Sequence, residues 1–150
     1  MVPAQLIHEM PEAFFGRVLM ACPRRSRETL FSRFSIPKAK KKASILLPGK
    51  DPARIRKLQL AMAGVSADDE QGQQLAEELI RVYLMGQRTL LGAALDAIGV
   101  DHQDGLTDDD LDGFAELSAE EAQDLADELG RDFDPLDVAL YLRFMGAEVL

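Results

Sequence analysis

A single cysteine, Cys22, is all the thiol chemistry this 150-residue chain has. One thiol excludes an internal disulfide and a cysteine zinc cage, and it fits a reducing compartment, so a cytoplasmic location is expected. No run of about 18 uncharged apolar residues occurs, which excludes a membrane-spanning helix because the hydrocarbon core demands that length. The N-terminus, MVPAQLIHEMPEAFF, has acids where a signal peptide has lysines and leads into no long apolar stretch, so export is not expected. Internal repeats and low-complexity segments are also lacking. What is present is globular in proportion: 47% hydrophobic residues, 29% charged residues and a mean hydropathy of -0.10, too apolar for a disordered tail. At 16.5 kDa the chain has room for one domain, 1–150.

β-Branched residues are scarce, with 13 Val plus Ile and three Thr against 22 Leu and 19 Ala. Unbranched side chains keep their rotamer freedom against the preceding helical turn, so this inventory favours helices over strands. Local signals agree. Ser66, Thr107, Ser118 and Asp134 each stand three residues before an acid, the pattern of a side-chain acceptor capping a helix whose first turn carries negative charge. Proline follows an aspartate in Asp51-Pro52 and Asp134-Pro135, where its missing N–H is harmless. Gly99, Gly130 and Gly146 stand where helices should stop.

Periodicity predicts helices over about 11–21, 24–34, 37–47, 52–64, 67–98, 108–129 and 135–145, the sixth breaking near Ser118. Leu111, Phe114, Ala115, Leu117, Ala122, Leu125, Ala126 and Leu129 make an apolar stripe on that sixth helix, with acids elsewhere, so it belongs at the surface. Residues 79–98 are apolar on most sides. The expected architecture is therefore all-α: a compact single-domain bundle of about seven helices around a long apolar central helix, 67–98, in which Gly86 and Gly92 either admit close neighbours or mark a bend. The last helix is nearly as apolar, so it is either buried against the central helix or a subunit interface, with Leu140, Leu142, Phe144 and Met145 as candidates for a homo-oligomer face.

A net charge of -9 conceals a division along the chain. Residues 1–60 carry 13 bases against four acids, whereas residues 61–150 carry four bases against 22 acids. The densest basic stretch supplies the binding candidates Arg24, Arg25, Arg27, Arg33, Lys38, Lys40, Lys41, Lys42, Arg54, Arg56 and Lys57, with Lys50 beside them. Three readings follow. The basic and acidic helices pair within one bundle through weak surface contacts. A basic face neutralises phosphates and releases counterions, which is nucleic-acid binding, although Phe31 and Phe34 fall beside Leu30 at core spacing and offer no stacking platform. Or one half attracts an oppositely charged protein, in the extreme a second copy of the chain, head to tail.

Sites with a chemical mechanism mostly fail inspection. Residues 44–51, SILLPGKD, place Gly49-Lys50 before a helix, but Ser44 stands where a phosphate loop needs glycine and Asp51 where it needs a hydroxyl. Aligning Gly105 with the invariant glycine of a calcium loop puts Val100 and Leu111 at ligand positions. His8-Glu9 lacks the second histidine of a zinc helix, Glu12 standing there. His102 lies beside Asp101 and Asp104 and is read as a loop histidine. Cys22 precedes Arg24, Arg25 and Arg27, yet no general base accompanies it, so it is read as a small buried residue. Arg81 and Arg88, seven residues apart on the most apolar helix, should project from one side as buried arginines, either paired with Glu77, Glu78 or Asp96, or holding an anion in a groove. No cofactor or metal is assigned. The expected role is a non-catalytic interaction module (adaptor, regulator or complex subunit) recognising another protein through a charged face. The alternative is a nucleic-acid-associated protein using the face from Arg24 to Lys57, and an active site assembled from distant residues would make the chain an enzyme instead.

Overall fold

The computed structural model describes residues 3–34, 52–107 and 113–149. The protein is all-α: among the described residues there are eight helices and no strand. They are α1 (Pro3–Glu9), α2 (Glu12–Ala21), α3 (Arg24–Arg33), α4 (Pro52–Ala63), α5 (Glu70–Met85), α6 (Arg88–Ala97), α7 (Ala119–Leu129) and α8 (Pro135–Phe144). The chain divides into two compact units, Val2–Tyr83 and Leu84–Leu150, the division falling in the last turn of α5. The helix expected over 37–47 and the cap expected at Thr107 with Asp110 fall on residues outside those described.

In the first unit α1 and α2 both pack on α4, and Phe15, Leu19, Leu58, Met62 and Ile80 are fully enclosed. Periodicity alone does not reveal α1. Seven residues are too few for a helix to persist on propensity, so tertiary bonds must hold it. Two glutamines do so. The buried Gln59 donates from Nε2 to the carbonyls of Ile7 at 3.2 Å and Met10 at 2.9 Å, occupying acceptors at the end of α1. At the other end Gln73 accepts the Ala4 N–H at 3.0 Å through Oε1 while donating to the Ser66 carbonyl.

The single helix expected over 67–98 is two helices. The backbone leaves the α5 ladder at Gly86, where the Gln87 N–H turns back to the Leu84 carbonyl at 2.8 Å, and α6 begins at Arg88. The two glycines divide the roles open to them. Gly86 marks the break, whereas Gly92 admits a neighbour, since a Cβ there would stand 3.1 Å from the His102 ring. The start of α5 also shifts. Asp69, rather than Ser66, bonds the first turn, its Oδ1 accepting from the Gly72 N–H at 3.1 Å.

In the second unit α7 packs against both α6 and α8. Ser118 and Glu121 form a reciprocal capping box at the start of α7, and Asp134 accepts the Leu136 N–H at 2.8 Å at the start of α8. Before α7 the described chain is in turns. Phe114, expected on a surface helix, is fully buried there and meets Tyr141 edge to face at 5.6 Å. This packing explains the apolarity of α8. Leu140 and Leu142 are buried and cannot form an oligomer face, while Phe144 and Met145 are half-buried.

Candidate functional site

Among the described residues of the basic stretch, Arg27 and Arg54 do not join a cationic face. Arg27 is 6% exposed, and its guanidinium donates to the carbonyls of Leu19 and Cys22, occupying acceptors at the end of α2 where positive charge also suits the helix dipole. Arg54 is buried with its guanidinium carbon 4.3 Å from the centre of the Phe31 ring. Both are corrections to the sequence expectation, and both have one cause: a helical basic residue on the inward face buries its stem and delivers its charge to carbonyls or an aromatic face. Arg24 pairs with Glu28 at 2.9 Å, and Arg33 reaches Asp69 at 3.5 Å. Arg25, Arg56 and Lys57 are exposed. Lys38, Lys40, Lys41, Lys42 and Lys50, with the 44–51 stretch, lie outside the described residues.

Arg81 and Arg88 are likewise not a buried pair. The break at Gly86 puts them on different helices; Arg81 is 61% exposed and paired with Glu77 one turn earlier. Arg88 is half-buried, donates from Nε to the Met85 carbonyl at 2.9 Å and stands 3.9 Å from the Asp104 carboxylate. His102 bonds at both ring nitrogens: Nε2 lies 2.8 Å from Asp96 and Nδ1 accepts the Gly105 N–H at 3.0 Å. With both nitrogens engaged, this ring fastens the loop after α6. Among the described residues no three of His, Cys, Asp and Glu approach closely enough to hold a metal ion.

Two concavities among the described residues bear on function, one in each unit. The first lies between α3 and α5, has a volume of about 220 Å³, and is floored by Leu30 and Leu79, with Leu75 and Val82 as walls. Arg25 and Glu78 stand on its rim with opposite charge, so it selects no sign of ligand. Cys22 closes one end, but burial pushes its thiol up to about 11, partly offset by the Arg27 charge and reinforced by Glu78. The arginines do not produce a thiolate; desolvation outweighs them.

The second concavity is acidic. It holds about 290 Å³ between the end of α6 and one side of α7, floored by Ile98, Leu117 and Leu125 and edged by the exposed Ala97, Glu121, Asp124 and Glu128. Positions 121, 124, 125 and 128 form one helical stripe, three carboxylates set around a nearly buried leucine. Among the described residues no base lies within ion-pair distance of Glu121, Asp124 or Glu128. Sequence reading places acids on the solvent side of this helix but singles out none, because their partner in forming the groove, Ile98, lies 23 residues before Glu121 at the end of another helix. The spacing of i, i+3, i+4 and i+7 was the signal that could have found them. No helix among the described residues is long and apolar enough to cross a membrane. Compared with family models, with characterised proteins and with solved structures, the chain gave no match.

Proposed function

We propose that this chain is a non-catalytic protein–protein interaction module that recognises a basic partner through the acidic face of its Leu84–Leu150 unit. The observation carrying this reading is the charge of that unit: 17 carboxylates stand against three arginines, and all five acids of α7 are exposed. A field of one sign steers an oppositely charged protein toward the surface and raises its association rate. The inward and paired arginines of the other unit weaken the rival nucleic-acid reading, since each base spent on a carbonyl, a ring or a carboxylate is withdrawn from phosphates. A lone buried thiol suits a reducing, cytoplasmic setting.

Affinity capture from the native host, washed at rising salt, tests the reading. A stoichiometric protein partner released by salt is the expected result. Recovery of the chain alone as a stable monomer overturns it, as does retention on duplex or single-stranded nucleic acid at low salt with a steep loss on salt addition.

A further inference from the structure

We infer that the groove between α6 and α7 is a docking site for a basic amphipathic helix of another protein. The inference rests on the interaction reading and specifies its partner. The groove combines two chemistries. Ile98 and Leu117 are half-buried apolar side chains along its floor, and Glu121, Asp124 and Glu128 line its edge with no base of the described residues beside them. An occupant must therefore offer apolar side chains to the floor and cations to the edge on the same face. A metal ion does not meet that demand, and no trio of carboxylates in the described residues gathers as metal ligands do.

Spacing favours a helix over an extended segment. Along α7 the edge carboxylates are three and four residues apart, about 4.5 and 6 Å of axial rise. A partner helix running alongside places lysines at i, i+3 and i+7 at the same intervals. A strand repeats its same-face side chains every ~6.6 Å and matches the shorter interval poorly. The long lysine or arginine stem adds apolar contact over Ile98 and Leu117 while its head reaches the carboxylates. This is helix-in-groove recognition with acids supplying the selectivity. The unit's 17 acids against three arginines oppose acidic partners approaching the same groove.

The test uses the full chain and a synthetic lysine/leucine peptide with lysines at i, i+3 and i+7 and leucines on the same face. Fluorescence anisotropy should show saturable one-to-one binding that weakens with salt. An Asp124→Lys/Glu128→Lys double variant should bind at least tenfold more weakly with its circular dichroism and Tm unchanged. Glu121 is left intact because it also caps α7. Ile98→Ser should weaken binding several-fold, which a purely charged contact would not show. The proposal is overturned if the double variant binds within twofold of the parent. It is overturned equally if a scrambled peptide of the same composition, with no amphipathic face, binds as tightly. Tighter binding of a peptide copying residues 35–51 of this chain, with dimers by mass measurement, would make a second copy the occupant and overturn the assignment to another protein. A captured host partner that survives the double charge reversal would overturn this groove while leaving the interaction reading intact.

Discussion

Arg27 and Cys22 meet inside the first unit, the arginine guanidinium donating to the cysteine carbonyl across the α2–α3 junction, with both residues buried. The bond fixes the turn that carries the thiol and removes Arg27 from any binding surface. Arg27→Met would leave the carbonyls of Leu19 and Cys22 without this donor, at a cost of about 1–3 kcal/mol. Arg25→Met, two residues away and exposed, should change stability by no more than about 0.5 kcal/mol. Urea denaturation of the two variants checks the contrast, and equal midpoints would show that Arg27 holds nothing.

Burial raises two acids of the fold well above their ordinary values, Cys22 to about 11 and Tyr141 to about 12. Each is raised in the folded state, so the stability it supports is complete below the ordinary value and is lost as pH rises through the folded one. Melting temperatures should therefore decline from about pH 9 upward. Cys22→Ser should lessen the decline, and a flat profile through pH 11 would contradict it. At pH 8 the native thiol should react with iodoacetamide more slowly than the same thiol in urea, because burial both raises its pKa and restricts access to it.

Two glycines with positive φ separate conformation from crowding. Gly99, at φ 73, has no atom of the described residues within 4 Å of where an added methyl would stand, so Gly99→Ala bears only the backbone penalty of about 1–2 kcal/mol. Gly105, at φ 80, would place that methyl 2.8 Å from the Arg88 carbonyl oxygen and 2.8 Å from the Leu91 Cβ. Gly105→Ala should be the more destabilising in thermal melts and should disturb the His102–Gly105 bond in NMR spectra. Equal losses at both sites would show that the loop moves aside.

The fold class was legible because it rests on local chemistry: leucine and alanine over β-branched residues, acids behind caps, and glycine at helix ends. Ser118 and Asp134 cap as their spacing implies. What local pattern cannot hold is the direction a long side chain takes. Arg27 and Arg81 look alike in sequence as helical arginines near acids or apolar residues, yet one caps a carbonyl cluster and the other lies in solvent beside Glu77. The groove was hidden for a related reason. Its edge is a periodic stripe on one helix, but Ile98 on its floor is brought there only by the packing of α6 on α7.

The Ser118–Glu121 box gives α7 an acid-sensitive start. Both bonds with Ser118 favour the ionised carboxylate and hold Glu121 below its ordinary 4.5. A lowered folded value means that its contribution is present above about 4.5 and disappears as pH falls through the folded value. Ser118→Ala should cost about 1 kcal/mol at neutral pH through the lost hydroxyl cap. Glu121→Gln is the sharper probe, because the amide oxygen still accepts the Ser118 N–H but no longer titrates. Between about pH 6 and pH 3, Glu121→Gln should therefore lose less stability than the parent, measured by urea midpoints at each pH. Parallel profiles for the two proteins would mean that the box contributes nothing dependent on charge, and the acid sensitivity of this unit would have to come from its other carboxylates.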